Sequence, residues 1–237
     1  MAVSFSQRSA AIEIMDDLTY HDEVIFQTLR ELDFINQWLG GNAVTLSALK
    51  KVLAQCPKGK TLSIADLGCG SGEMLRLISK LGSSENREFE LVGIDANEHI
   101  VNYARTHSPA FSNLNFEALN IFSDEFQRTS FDIVMATLFL HHFSDNELVS
   151  IFSSLKKQTR LAIIVNDIHR HALAYYSIKW LTRLFSKSSM VRFDAPLSVL
   201  RAFKRNELVS VLEKSGIRNY ELKWKWAFRW QLIIRCD

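Results

Sequence analysis

IADLGCGSGEML, residues 64–75, closes a short apolar run with an acidic residue and then sets glycines at 68, 70 and 72. A glycine-rich turn between a strand and a helix lets backbone N–H groups close on a ligand, most often a phosphate. Two features of this turn argue against phosphate. The spacing is G-x-G-x-G rather than G-x-G-x-x-G, and Asp66 places a carboxylate at the mouth of the loop. Across a few ångströms of poorly solvated cleft that carboxylate would repel a pyrophosphate, at a cost on the order of several kcal/mol. It favours a ligand that carries cations.

Outward from the loop, apolar runs and helical periods alternate. The pattern predicts strand 61–66, helix 72–81, strand 89–94, helix 98–107, strand 114–119, a short irregular piece, strand 131–136, helix 145–157 and strand 160–166. Such alternation implies a parallel sheet wrapped by helices, with ligands bound beyond the carboxyl ends of the strands. Ahead of it, residues 18–38 carry Ile25, Leu29, Leu32 and Ile35 at helical spacing, LGGN breaks the helix, and a second short helix is expected near 45–55. Beyond it come a long helix (170–186), a loop containing Pro196, a helix (205–215) and two runs, 217–225 and 228–236, that can pair as a hairpin. The fold class is α/β, doubly wound, with an antiparallel ending.

A ligand with amino and sulfonium cations suits Asp66, and S-adenosylmethionine is such a ligand. Here the sequence resembles the class I S-adenosylmethionine-dependent methyltransferases, over roughly residues 45–237. An acidic residue followed by G-x-G-x-G matches Asp66, Gly68, Gly70 and Gly72, a loop that in this family approaches the methionine moiety. Asp95, ending the next strand in ELVGIDAN ahead of Ala96, matches the acidic residue that takes both ribose hydroxyls in a charge-assisted contact. The acidic residue usual after the third strand is replaced by Asn120; Ile121 and Phe122 would cover the adenine face. The resemblance implies a Rossmann-like seven-stranded sheet, mostly parallel with an antiparallel C-terminal hairpin. It also implies a single domain over 1–237: an N-terminal helical cap (1–56), a cofactor-binding core (57–168), a helical lid insertion (169–203) and a C-terminal helix and hairpin (204–237).

FDIVMATLFLHHFSDNEL, residues 131–148, resembles the fourth-strand region of the branch that includes ubiquinone and menaquinone biosynthesis enzymes and many small-molecule O-methyltransferases. Ala136, Thr137 and Leu138 would lie beneath the methionine part of the cofactor. Ser144 and Glu147 form a capping box, with Phe143 placed to staple Leu148, so the helix entry is fixed just after His141 and His142. Both histidines are expected at the rim of the cleft, His142 as a general base and His141 turned the other way as a substrate contact. His169 and His171 follow the fifth strand and are alternative bases, and Asn166 and Asp167 are expected to cap the next helix rather than to position a substrate hydroxyl. Tyr176 and Trp180, with Leu173 and Leu184, line one side of that helix. In resembling enzymes this insertion, together with the N-terminal helices, roofs the substrate pocket. NPPY and DPPY, the motifs of amino-group methylation, are absent where this chain reads ATLF, which favours oxygen or carbon acceptors. No acidic cluster with metal-ligand spacing stands beside the fourth strand, so no metal is expected.

The expected activity is methylation, most readily O-methylation, of a small aromatic or apolar metabolite of phenolic, quinol or polyketide type, with S-adenosylhomocysteine as coproduct. C-methylation of a quinone-like lipid precursor and catalytically silent cofactor binding are the alternatives. No apolar run reaches the ~18 residues of a membrane span. The N-terminus also lacks a charged head followed by an apolar segment, so a cytoplasmic protein is expected. Cys56, Cys69 and Cys236 fit neither a zinc site nor a disulfide framework and are expected as buried thiols. Residues 1–155 hold 11 Lys+Arg against 20 Asp+Glu, and the remainder 17 against 6, a split that can mark an anionic partner. The helix 170–186 is compatible with core packing, a lid or a peripheral membrane contact. In the hairpin, Trp224, Trp226, Phe228 and Trp230 alternate with Lys223, Lys225 and Arg229. A strand period of two puts those aromatics on one face, expected to pack against helices, and nucleic acid is not the expected partner.

Overall fold

The computed structural model describes residues 3–18 and 23–236. A seven-stranded sheet in the order β3-β2-β1-β4-β5-β7-β6 forms its centre. The strands are β1 (Leu62–Leu67), β2 (Phe89–Asp95), β3 (Leu114–Ala118), β4 (Phe131–Thr137), β5 (Thr159–Ile168), β6 (Tyr220–Lys225) and β7 (Arg229–Arg235). Strands β1 to β5 run parallel; β7 pairs antiparallel with both β5 and β6. The chain leaves β1 towards β2 and β3, then returns to the other side of β1 as β4. Strand order therefore reverses between β1 and β4, where the loops diverge and leave a crevice.

The central strands are apolar on both faces because helices cover both. Ala65, Leu67, Val134, Ala136, Ile163 and Val165 belong to one buried cluster, and Ile64, Ile133, Met135, Ala162 and Ile164 to another. Around the sheet lie α1 (Glu23–Trp38), α2 (Gly41–Leu53), α3 (Glu73–Glu85), α4 (Glu98–Thr106), α5 (Asp124–Gln127), α6 (Asp145–Gln158), α7 (Ala172–Phe185), α8 (Ser189–Arg201) and α9 (Arg205–Lys214). The expected irregular piece after the third strand is the one-turn α5, capped by Ser123. Part of the helix expected over 18–38 falls on residues 19–22, outside the described residues.

The main departure is Pro196. The sequence predicts a loop there, but α8 runs through it as a helix. An interior proline removes one helical hydrogen bond and crowds the carbonyl four residues back, at ~3 kcal/mol. Tertiary burial of Met190, Val191, Pro196, Leu197 and Val199 offsets that cost. The helix after β5 is capped by His171, whose side chain accepts from the Leu173 N–H, and not by Asn166 or Asp167. Of the three cysteines only Cys69 is buried; Cys56 and Cys236 are half-buried. The hairpin turns at Ala227 and Phe228, both at positive φ, so Trp226 projects from the turn and Trp224 is half-exposed while Trp230 is buried. The expected single packed aromatic face is thereby split.

Candidate active site

The crevice at the strand-order reversal is a cavity of about 630 Å³, within the ~300–1,000 Å³ typical of ligand sites. Its floor is the β1–α3 loop. Gly68, Gly70 and Gly72 have φ of +65°, +50° and +76°. At Gly68 a Cβ would stand 2.2 Å from the Phe139 ring, so only glycine lets the loop pass under β4's extension. The loop is tied to the neighbouring strand: the Gly68 and Cys69 amides donate to the Ile94 carbonyl, and the Gly70 amide donates to Asp95 Oδ2 at 3.4 Å.

Two carboxylates face each other here. Asp66 is buried and its Oδ1 has no hydrogen-bond partner. Burial, reinforced by the charge of Asp95, pushes its carboxyl up to about 7. Burial also raises Asp95, although the Asn97 and Gly70 amides draw it back. A buried carboxylate oxygen without a partner, close to a second carboxylate, is a costly arrangement that a cationic ligand relieves. The donor set thus fits the ammonium, sulfonium and ribose of S-adenosylmethionine. Ala96, Asn120, Ile121, Phe122, Thr137 and Leu138 also line the cavity. Asn120 already accepts the Phe122 amide on its side-chain oxygen. Leu138 sits at φ +54° with its amide on the Asn166 carbonyl, and Thr137 shares a hydroxyl contact with Thr45.

The His141 and His142 rings stay together, their centroids 4.3 Å apart, but differ in burial and partners. Leu140–His142 is a 3-10 turn, in which successive side chains point about a third of a turn apart. His141 therefore turns inward, away from the expected rim, and is buried with Nδ1 2.8 Å from Asp167 Oδ1 while its amide donates to Oδ2. His142 lines the cavity, with Nδ1 2.5 Å from Asp16 Oδ1. Asp16 is fixed from its other side by Arg201 Nη1. Against the opposing effect of burial, His142 and Arg201 hold its carboxyl well below the usual range. Behind the pair lies buried Glu13, pushed up to about 7 by burial, with Oε2 4.0 Å from His142 Nε2 and Oε1 3.7 Å from both His141 Nε2 and Arg201 Nε. Ser198 donates to Glu13 Oε2. With Arg201 and Ser198 serving it, the cluster reads as an ion-pair and hydrogen-bond network.

His169 and His171 do not reach the cavity. His169 packs against the Trp230 ring at 4.9 Å and His171 stacks on Phe228 at 5.1 Å, because β7 and its turn cover the end of β5 on that side. Tyr176 and Trp180 also lie outside the cavity wall, since α7 buries Ala174, Tyr175 and Thr182 and turns its other side outward. The roof comes from the N-terminal segment: Ile12, Met15, Asp16 and Leu18, then Leu29, Leu32, Asp33 and Asn36 of α1. Asp33 takes the Ser71 hydroxyl at 2.5 Å, and burial pushes its carboxyl up to about 6. Sequence reasoning misses these residues individually. The available signal is polar Asp33 and Asn36 one turn apart beside the apolar stripe of α1.

A family model described as "Methyltransferase domain" matches residues 58–215. Among curated proteins, the chain is 24% identical over 216 residues to a carboxy-S-adenosyl-L-methionine synthase of Helicobacter pylori (strain P12), covering 87% of each chain. Among solved structures, human N-acetylserotonin methyltransferase in complex with SAM superimposes with TM-score 0.64 at 17% identity, over 91% of this chain and 56% of that one. The citrinin polyketide synthase CMeT domain gives TM-score 0.62 at 14% identity, over 82% and 52%. The chain thus spans about half the length of these two solved chains. The family model covers more than half of the chain and begins just ahead of the strand that carries the glycine loop; the chain belongs to the methyltransferase domain family, and it is an S-adenosylmethionine-dependent methyltransferase.

Proposed function

We propose that the protein methylates an oxygen of a small aromatic or apolar metabolite of phenol, quinol or polyketide type. The observation that carries this reading is His142, a cavity-lining imidazole whose Nδ1 is held by ionised Asp16. When bound, S-adenosylmethionine supplies an electrophilic methyl group on a sulfonium. Asp66 and the Gly68–Gly72 loop would hold its methionine part, Asp95 its ribose, and Asn120, Ile121 and Phe122 its adenine. Ala96, Thr137 and Leu138 would complete that wall. Asp16 takes the Nδ1–H of His142 and leaves Nε2 as the basic nitrogen, without a hydrogen bond among the described residues. A phenol attacks well only as its proton leaves, so a positioned imidazole contributes ~10²- to 10⁴-fold. Ile12, Met15, Leu18 and Phe143 give the remaining wall the apolar surface that a flat or greasy acceptor needs.

C-methylation of a quinone-like precursor uses the same parts with a carbon nucleophile, and carbon methyltransferases are among the similar folds. A carboxylated cofactor product, as in the name of the curated relatives, would call for a free cation in the cavity. Arg201 is the one Arg or Lys lining it among the described residues, and its guanidinium serves Asp16 and the His141 and His142 carbonyls. The test is transfer from isotopically labelled S-adenosylmethionine to a panel of phenols, quinols and polyketide fragments, with the product's methyl position read by NMR. An O-methyl product supports the proposal. A C-methyl product replaces it, and tight cofactor binding without turnover on any member opposes catalysis.

A further inference from the structure

Helix α7 is apolar on two sides. Its inner side buries Ala174, Tyr175 and Thr182. Its outer side presents Leu173, Tyr176, Trp180 and Leu184 at helical spacing and ends in Phe185, with Trp180 64% and Phe185 76% exposed. A solvent-facing helix side is ordinarily polar. Between these apolar residues stand Lys179 and Arg183, followed by Lys187, all exposed, and from His171 to Phe193 the sequence contains no Asp or Glu. Arg183 and Lys187 make no ion pair among the described residues.

We propose that the outer side of α7 is a docking surface for an anionic lipid bilayer, with Trp180, Leu184 and Phe185 entering the headgroup boundary and Lys179, Arg183 and Lys187 meeting lipid phosphates. Aromatic and leucine residues flanked by Lys and Arg, without intervening acids, is the composition of helices that lie in a membrane interface. Charge selects this occupant over a second copy of the chain, because pairing the patch with itself sets cations against cations. The surface is also tied to the cavity roof. Just after α7, the Lys187 and Ser188 amides and the Ser186 hydroxyl donate to Glu31 of α1. On α8, Asp194 accepts the Ile14 and Met15 amides. An apolar acceptor drawn from the bilayer would reach a roof braced by the same corner, although the docking surface does not depend on the substrate reading.

The test is sedimentation of the full chain with phosphatidylcholine vesicles, with and without phosphatidylglycerol. The protein should bind the anionic vesicles, less so at raised salt, and should bind neutral ones little. Lys179→Gln with Arg183→Gln should weaken it roughly 10- to 30-fold, each cation being worth roughly fivefold near an anionic surface. Trp180→Ser with Leu184→Ser should weaken it at least as much. Both pairs are exposed, so S-adenosylmethionine affinity should be unchanged, which separates lost docking from lost folding. Failure of the wild type to sediment with anionic vesicles overturns the proposal. So does binding that neither variant alters, or sedimentation velocity showing a dimer that Trp180→Ser with Leu184→Ser dissolves.

Discussion

At the scale of single residues, Asp66 and Asp95 are the carboxylates on which the proposed cofactor site rests. Asp95→Ala removes a charged acceptor from the proposed ribose contact and should weaken S-adenosylmethionine by roughly 30- to 150-fold, about 2–3 kcal/mol, in calorimetry. An affinity within a factor of two of wild type would reduce Asp95 to a residue that orders the Asn97 turn. Asp66 gives a pH signature. Its folded carboxyl near 7 lies above the ordinary 3.8, so the folded chain holds a proton that the unfolded chain has lost between these values. This group's stabilisation is fully present below about pH 4 and is lost as pH rises through about 7. A cation in the cavity draws Asp66 back to its ionised form. Cofactor binding near pH 6 should therefore release protons, read as a dependence of binding heat on buffer ionisation enthalpy, and Asp66→Asn should shrink that dependence. The aspartates and glycines were legible in sequence because a strand end and a loop spacing are local properties. Asp16, Asp33 and Glu13 were not, since their roles exist only once the N-terminal segment folds across the sheet. His141 and His142 pack ring to ring beside Glu13, yet only His142 lines the cavity, a distinction that residue type alone does not carry.

At the scale of elements, the alternation of β1 to β5 with helices was readable from apolar runs and helical periods. The segment after β5 was not. Pro196 reads as a helix breaker, and only the packing of α8 against α7 and the N-terminal turn reverses that expectation. A buried arginine binds this region together. The Arg170 side chain is fully buried, paired with Glu207, and donates to the carbonyls of Phe5, Ser6 and Ala202. Arg170→Met should destabilise the protein by about 3–5 kcal/mol in denaturant unfolding, because it strands these acceptors and leaves the partner carboxylate uncompensated. A loss under about 1 kcal/mol would mean that water serves those groups after substitution. Capping by His171 escaped the sequence reading because the nearby Asn166 and Asp167, better cap formers by type, are recruited to Gly41, Thr45 and His141 instead.

At the scale of the molecule, the sheet delivers a glycine loop, two aspartates and a histidine turn to one crevice, and the N-terminal helix and turn close it. Of the two elements expected to roof the cavity, the N-terminal segment lines it and α7 does not, which leaves the outer side of α7 for a surface role. In the proposed reaction, His142, held by Asp16, removes the proton from an oxygen acceptor. Single-turnover methylation by wild type and His142→Gln, from about pH 6 to about pH 10, tests it directly on an acceptor identified from the panel. The variant's rate should be ~10²- to 10⁴-fold lower at the acid end with cofactor affinity little changed, the deficit shrinking as pH approaches the acceptor's own pKa, where a preformed phenolate needs no base. A rate ratio that stays constant across the range, or a variant as fast as wild type at the acid end, would contradict it.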